Sequence, residues 1–204
     1  MKTVTIDEFI SRLSSKTPTP GGGAACALVA ALGSCLGSMV GHIKEEKHPA
    51  NELSETLKKM EDVRTQLLQL VDNDAAAFGA LSKTLKMPKD TVQQKQARQE
   101  QLAKDLVAAA QVPLNIEQAI VLELKVMQEM KEFSSKSLLS DIGCGATLSM
   151  GALNAAILNV YVNTKLMKDK KQAGKFNQQA EKLARQGSQI AQQLYGEVEA
   201  SVKG

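Results

Sequence analysis

Two aspartates are the residues of this 204-residue chain whose surroundings best suit proton transfer. Asp74 lies within a helical stretch, directly before three alanines and Phe78. Burial there would raise the pKa of its carboxyl and suit it to general acid or base catalysis, although most aspartates are exposed and a surface position is the competing interpretation. Asp141 stands with Ser140 at the predicted start of an apolar helix. These two residues cap that helix, and they can also direct a fixed carboxylate into a cavity opposite the glycine-rich segment described next.

A glycine-rich segment, 17–23, precedes a charge-free run that extends to Gly41. Glycine reaches backbone conformations closed to other residues, and the missing Cβ lets a ligand or a second chain approach the main chain. The helix predicted to follow offers unpaired N–H groups at its start, which suit an anion or a polar ligand atom. The segment therefore predicts a binding loop formed by Pro20, Gly21, Gly22 and Gly23; a plain turn is the alternative.

Amides and lysines supply further candidate ligand contacts. Asn159 and Asn163 are four residues apart on one face of the second apolar run, and buried amides need hydrogen-bond partners. They either bond across helices or contact a ligand. Lys86 and Lys89 flank Pro88, where they either end a helix in solvent or attract an anionic group.

Composition argues against several classes of function. The net charge of +3 arises from 25 basic and 22 acidic residues, which is not the one-sided basic field of a nucleic-acid binder. Cys26, Cys35 and Cys144 lie in apolar runs, and we expect buried free thiols in a reducing cytoplasm. The two histidines, His42 and His48, are too few and wrongly spaced for a metal site, so no metal is expected.

The chain is predicted to be all-α. Helix-forming residues dominate and aromatic residues are only 3%, which leaves few residues that favour strands. The periodicity predicts six or seven helices: a short one ending near Leu13, then 23–47, 51–86, a polar helix opened by a capping box at 90–93, 112–133, 141–168 and 174–202. Pro113 is expected in the first turn of the fifth of these helices.

Two charge-free runs, 21–41 and 142–164, are long enough to span a membrane. Their many small and polar residues favour burial instead, and residues 1–5 contain no apolar signal core. We therefore expect one domain over 1–204, an up-and-down helical bundle with two long apolar central helices. The outer helices of one subunit cannot cover both apolar helices, so a homodimer that pairs them is predicted, with no membrane contact.

Five short motifs occur in a fixed order along nearly the whole chain, and together they resemble a known family. They are Thr-Pro-x-Pro-Gly-Gly-Gly within 17–23, Asp-x-x-Ala-Phe at 74–78, Val-Pro-Leu at 112–114, Ser-Asp-Ile-Gly at 140–143 and Leu-Asn-Val at 158–160. This order resembles the formiminotransferase-cyclodeaminase C-terminal family. That family includes free-standing formimidoyltetrahydrofolate cyclodeaminases and methenyltetrahydrofolate cyclohydrolases.

The resemblance implies an all-helical homodimer that acts on a folate one-carbon substrate at N5 and N10, with no separate cofactor. In cyclodeamination N10 attacks the formimino carbon and ammonia leaves; in the cyclohydrolase reaction water opens the methenyl bridge. Asp74 or Asp141 would transfer protons. The substrate-binding residues would be drawn from Pro20, Gly21, Gly22, Gly23, Ser140, Asn159, Lys86 and Lys89.

Two segments depart from the family pattern. Residues 42–48 lack the usual lysine run ending in Tyr, and residues 134–137 lack the usual Gly-Asn-x-Asn. These departures keep an alternative open, namely a catalytically silent helical dimer that binds a small ligand or a partner protein.

Overall fold

The computed structural model describes residues 4–47 and 49–204, which form six α-helices and one short 3-10 turn. No strand occurs in these residues, which confirms the all-α prediction. Predictions that concern Met1, Lys2, Thr3 and His48 lie outside the described residues. The helices are α1 (Ile6–Leu13), α2 (Gly22–Lys47), α3 (Asn51–Leu85), α4 (Val92–Phe133), α5 (Leu139–Leu166) and α6 (Lys170–Lys203), and the 3-10 turn, Lys136–Leu138, precedes α5.

Local capping explains where two of the helices begin. The Glu8 N–H donates to Thr5 Oγ1 at the start of α1. At the start of α4 the Gln94 N–H donates to Thr91 Oγ1, while Gln94 Oε1 accepts the N–H of Thr91. The capping box therefore lies one residue later than predicted from 90–93. Helix α3 begins without such a cap, because its N-cap residue is Ala50, which makes no side-chain hydrogen bond.

Helix α4 is continuous through Pro113, so the prediction of two helices meeting there is wrong. Proline has no N–H for the carbonyl four residues earlier, which is that of Ala109. The structure supplies a substitute, because Asn163 Nδ2 on α5 donates to Ala109 O at 2.9 Å. The carbonyl freed by Pro113 is thus satisfied from the neighbouring helix, and α4 does not break.

The glycines of α2 allow unusually close helix packing. Helix α2 packs against α3, α4 and α5. A Cβ added at Gly33 would lie 2.5 Å from Ser149 Oγ and 3.0 Å from the backbone oxygen of Gly145, both on α5. The backbone of α5 therefore lies directly against the glycine face of α2.

Gly33→Ala is expected to destabilise the protein by about 1–3 kcal/mol, because the new methyl group meets a backbone oxygen that cannot move aside. Gly196→Ala is the matched control. It lies within α6 with nothing within 4 Å of an added Cβ, so it should be neutral or stabilise by up to about 1 kcal/mol. Urea unfolding of both variants measures the difference, and equal effects would contradict the packing described.

Helices α2 and α5 are both long and apolar enough to cross a membrane, but their burial differs. The apolar window of α2 is 61% buried and that of α5 is 39% buried. One face of α5 is exposed along its length, so the described part of the chain does not cover this helix by itself. Cys26 is buried as predicted, but Cys35 and Cys144 are exposed because each lies on an outward face of its helix.

Candidate active site

The start of α2 rests against a carboxylate from α3. The Ala24 N–H donates to Asp74 Oδ2 at 2.9 Å, so Asp74 satisfies one of the backbone donors left free at the helix N-terminus. A Cβ added at Gly23 would lie only 2.1 Å from Asp74 Oδ1. Glycine is therefore required at position 23 because the carboxylate lies against the main chain there.

The expected use of glycine for unusual backbone angles is not what the structure shows. None of Gly21, Gly22 and Gly23 has a positive φ. Close approach is the reason instead, since a Cβ at Gly22 would lie 3.1 Å from Asn159 Oδ1 on α5, whereas a Cβ at Gly21 would meet open space. The loop is thus packed between Asp74 on one side and Asn159 on the other.

These residues surround a small cleft of about 150 Å³. It brings together Asp74, Asn159 and the three glycines, which the sequence analysis named as separate candidates; Pro20 is buried immediately before the glycines. Its lining residues are Pro18, Gly21, Gly22, Gly23, Asp74, Ala77, Phe78, Ala109, Asn159, Val162 and Asn163.

The two asparagines of the cleft are held by backbone carbonyls. Asn159 Nδ2 donates to Ala155 O at 3.1 Å, and Asn163 Nδ2 donates to Asn159 O as well as to Ala109 O. Asn163 therefore serves helix packing, which is one of the two interpretations left open. The amide oxygen of Asn159 lies against Gly22 at the edge of the cleft.

The environment of Asp74 favours proton transfer. Burial raises the pKa of its carboxyl, and the hydrogen bond from Ala24 partly offsets this. Beneath it, burial raises the pKa of the Cys26 thiol to about 11, with smaller contributions from the charges of Asp74 and Glu117. Cys26 is therefore a neutral thiol at neutral pH and is unsuited to act as a nucleophile. Asp74 is the group in the cleft suited to accept and return a proton.

Asp141 and Ser140 lie far from this cleft in the same chain. Both are in the first turn of α5, whose N-cap is Leu138 with no side-chain hydrogen bond, so the prediction that they cap the helix is wrong. Helix α5 begins two residues earlier than predicted because the 3-10 turn leads directly into it. Asp141 precedes Asn159 by 18 residues of continuous helix, about 27 Å at about 1.5 Å per residue. The expected position of Asp141 opposite the glycine loop of its own chain is therefore not observed.

The two candidate lysines are also outside the cleft. Lys86 is the C-cap of α3 and Lys89 lies in the connection to α4; both are exposed. Lys86 is 12 residues beyond Asp74, about 18 Å along the helix axis at about 1.5 Å per residue. They remain candidates only for the outer end of a long substrate.

The two segments that depart from the family pattern face each other at the opposite end of α2. Lys44 and Lys47 line a cleft of about 250 Å³ together with Ser135 and Ser137. Leu138, immediately before α5, lines the same cleft. The altered segments thus form one surface, on the same end of the bundle as Ser140 and Asp141.

Two buried glutamates on α4 were missed by the sequence analysis. Glu117 and Glu123 are fully buried, and neither oxygen of Glu117 accepts a hydrogen bond from the described residues. Burial raises the pKa of Glu117 to about 8. It also raises the pKa of Glu123 well above its ordinary value, although Ser149 Oγ donates to Glu123 Oε1 at 2.8 Å. The signal was available, since both glutamates fall on the apolar positions of α4, spaced three and four residues from Leu114, Ile120 and Met127.

Glu117→Gln is expected to remove a pH dependence of stability. The pKa of Glu117 is about 8 in the folded protein against an ordinary 4.5. Between these values the folded chain holds a proton that the unfolded chain has released, so stability falls as pH rises through this window. We expect the variant to melt about 5 °C or more above the wild type near pH 8.5 and to match it near pH 5. The melting temperature of each protein is measured across this pH range, and the exposed Glu46→Gln is the control, which should follow the wild type. A constant difference in melting temperature between Glu117→Gln and the wild type at all pH values would contradict the prediction.

No group of three or more His, Cys, Asp or Glu side chains arranged to hold a metal ion occurs in the described part of the chain. The functional groups of the cleft are the partly buried Asp74 carboxylate, the Asn159 side-chain amide and the main chain of the glycine loop. These can bind a polar heterocycle, accept a proton and return it to a leaving group.

Comparisons with known proteins agree on one family. The family model described as formiminotransferase-cyclodeaminase matches residues 5–182. A methenyltetrahydrofolate cyclohydrolase from Methylorubrum extorquens is 30% identical over 202 residues, which cover 97% of each chain. A mouse formimidoyltransferase-cyclodeaminase is 30% identical over 94% of this chain, which spans 36% of that protein. A solved formiminotetrahydrofolate cyclodeaminase from Thermotoga maritima, 24% identical, has the same fold, with a TM-score of 0.81 over 100% of this chain and 98% of that one.

Proposed function

Since the chain belongs to the formiminotransferase-cyclodeaminase family, we propose that it is a folate one-carbon enzyme that acts at the bridge between N5 and N10. The reaction is that of a 5,10-methenyltetrahydrofolate cyclohydrolase or of a 5-formimidoyltetrahydrofolate cyclodeaminase. We place the cyclohydrolase first because the end-to-end match named for that reaction is 30% identical to this chain, against 24% for the solved cyclodeaminase. The observation that carries the proposal is Asp74, partly buried and held by Ala24 at the edge of the cleft.

Asp74 can serve as the proton carrier in both reactions. In the cyclohydrolase direction a water oxygen bonds to the methenyl carbon, and its proton passes to Asp74. The carboxyl then returns the proton to N5 as the bond from carbon to N5 breaks, and the hydroxyl proton leaves to give the N10-formyl product. In cyclodeamination N10 attacks the carbon of the formimino group, which is protonated as an amidinium. Asp74 takes the N10 proton and returns it to the resulting amine, and the bond from carbon to this nitrogen breaks to release ammonia and leave the cationic methenyl bridge.

The charge of the bridge fits the charge of the cleft. The methenyl bridge is a cationic amidinium, and an ionised carboxylate beside it stabilises that charge as it forms or disperses. Asp74 is fixed by a backbone hydrogen bond and needs little reorganisation during the reaction. The Asn159 amide and the glycine-loop main chain would orient the pterin ring beside it.

We further propose that the protein is a cytoplasmic homodimer with the apolar helices α2 and α5 near its centre. The exposed apolar face of α5 supports pairing with a second copy, and three free cysteines support a reducing compartment. The folate substrate is the only small molecule the proposal requires. Neither a nucleic acid nor a membrane is part of it.

A catalytically silent dimer is the second candidate. The observation that favours it is the meeting of the two departing segments at Lys44, Lys47, Ser135 and Ser137. In such a protein the cleft would bind a folate without converting it. Thermal stabilisation by folates without turnover would support this candidate over the enzyme.

Absorbance at the 5,10-methenyltetrahydrofolate band tests the proposed reaction directly. Purified protein is given 5,10-methenyltetrahydrofolate and, separately, 5-formimidoyltetrahydrofolate. Loss of the band faster than the uncatalysed rate identifies a cyclohydrolase, whereas its appearance together with ammonia identifies a cyclodeaminase. No change with either compound, from a folded protein, would contradict folate turnover.

A further inference from the structure

We propose that the active site is shared between two copies of this chain, so that the first turn of α5 of one subunit, with Ser140 and Asp141, completes the cleft at the glycine loop of the other. The proposal rests on the proposed function for the chemistry of the site. Its geometry stands on the exposed surface of α5 and on the two open clefts beside it, and can be tested without any turnover.

The cleft is too small to hold a folate in a single subunit. Its volume is about 150 Å³, whereas small-molecule sites usually enclose about 300–1,000 Å³. Val162 on α5 lines the cleft and is 64% exposed. A wall is therefore missing where α5 faces away from its own bundle.

The exposed face of α5 is self-complementary. Cys144, Leu148, Leu158 and Val162 are exposed at turn spacing along the helix, and exposed Gly151 lies near the middle. An antiparallel pairing of two α5 helices with its register centred at position 153, where Gly151 and Asn154 are on the exposed face, places Cys144 opposite Val162 of the partner subunit and Leu148 opposite Leu158 of the partner subunit. A two-fold axis requires this kind of matching, in which one patch serves both subunits.

The same register fills a groove that is otherwise open. An apolar groove of about 640 Å³ lies between α5 and α6, close to Cys144 and Leu148 and lined also by Tyr195 and Val198. At the other end of α5, Val162 and Leu166 are 64% and 52% exposed. In the antiparallel pairing these two side chains of the partner subunit reach the groove. The groove of one subunit is thereby filled, and the exposed end of the other subunit's α5 is covered.

Charge supports the same register. Asp141 and Lys165 are equally distant from Leu153, so the pairing places Asp141 opposite Lys165 of the partner subunit. Within the described residues the side chains of Asp141 and Lys165 have no ion pair in their own chain. A lipid surface or an unrelated protein would give no reason for opposite charges at symmetric positions, so a second copy is the occupant the surface favours.

The pairing brings Asp141 of the partner subunit towards Asp74, from which Asp141 of the same chain is far removed. Asp141 lies about 27 Å from Asn159 in its own helix at about 1.5 Å per residue. In the antiparallel pair the first turn of the partner's helix lies beside 162–166, which adjoins the cleft. Asp74 and the partner's Asp141 then approach the substrate from opposite sides, and the partner's Ser140 adds a hydroxyl.

Thiol cross-linking tests the geometry independently of activity. Cys35→Ser/Val162→Cys retains Cys144, and a short bis-maleimide should join Cys144 to the engineered thiol of the partner subunit and give a covalent dimer on a denaturing gel. Adding Cys144→Ser should abolish the product. A cross-linked dimer that persists without Cys144 indicates parallel pairing and overturns the proposal. The absence of any cross-linked product also overturns it, whether light scattering shows that the protein is dimeric or monomeric.

Subunit complementation tests the shared chemistry. Asp74→Asn and Asp141→Asn are each expected to lose most turnover, and co-expression of the two should restore about a quarter of wild-type activity. This follows because half of randomly formed dimers are hybrids, and each hybrid holds one intact site. Full activity of Asp141→Asn alone, or background activity of the mixture, overturns the proposal. If the wild type itself lacks folate turnover, the proposed function fails, while the cross-link still decides the geometry.

Discussion

Replacing Asp74 by Asn is expected to lower kcat about a hundredfold with little change in KM, because loss of a general acid or base typically costs about 10²–10⁴ in rate. Asparagine has nearly the same shape, and its side-chain oxygen can still accept the Ala24 N–H that Asp74 accepts at 2.9 Å. The start of α2 should therefore remain in place. The substitution removes the carboxyl that can gain and lose a proton, and it leaves the structure unchanged.

The pH profile separates a proton carrier from a merely structural carboxylate. Burial raises the pKa of Asp74, so the acid limb of the wild-type rate should lie above the pH at which an ordinary aspartate titrates. Activity is present above this pKa and is lost as pH falls through it, and Asp74→Asn should lack this limb. Asp62→Asn, an exposed acid on the same helix, is the control. Wild-type turnover in the Asp74 variant would exclude the role.

Gly23→Ala is the second substitution with a large expected effect. The new methyl carbon would lie 2.1 Å from Asp74 Oδ1, so either the carboxylate or the start of α2 must move. We expect a loss of turnover of about tenfold or more, since misplacing a catalytic group by about 1 Å can cost a hundredfold. Stability should fall by about 1–3 kcal/mol from overpacking.

Gly79→Ala is the matched control for this substitution. Gly79 lies on α3 near Asp74, but an added Cβ there has nothing within 4 Å and the residue does not line the cleft. It should keep wild-type turnover and gain slightly in stability as helix propensity improves. Equal turnover of the Gly23 and Gly79 variants would show that the contact between the glycine loop and Asp74 has no catalytic importance.

The fold and part of the site could be predicted from local patterns. Helix-forming composition and apolar periodicity predict the helices, and the low content of strand-forming residues indicates that there is no sheet. The glycine loop and Asp74 were each named as candidates, because the segment before α2 and the apolar neighbours of Asp74 are both unusual for a surface, but their contact with each other was not predicted. The reason for the glycines was wrong, since close approach to Asp74 and Asn159 does not appear in a sequence pattern.

The predictions that were wrong depended on contacts between residues far apart in the sequence. Pro113 indicated a helix boundary in the sequence. In the structure Asn163, 50 residues later, donates a hydrogen bond to the Ala109 carbonyl that proline leaves without a partner, and the helix continues. Asp141 was expected opposite the glycine loop because it stands at the predicted start of an apolar helix, and only the length of α5 shows that one chain cannot bring it there. Glu117 was overlooked because acids are usually exposed, although its position in the apolar repeat of α4 predicted burial.

A crystal structure of the protein with 5-formyltetrahydrofolate tests the central claim most directly. The account predicts the pterin in the cleft between the glycine loop and Asn159. The Asp74 carboxylate should lie within about 3.2 Å of the N5 substituent, N10 or a water bound to either. A folate bound instead in the groove between α5 and α6, or between Lys44 and Ser135, with Asp74 more than one water molecule away from it, would contradict the account.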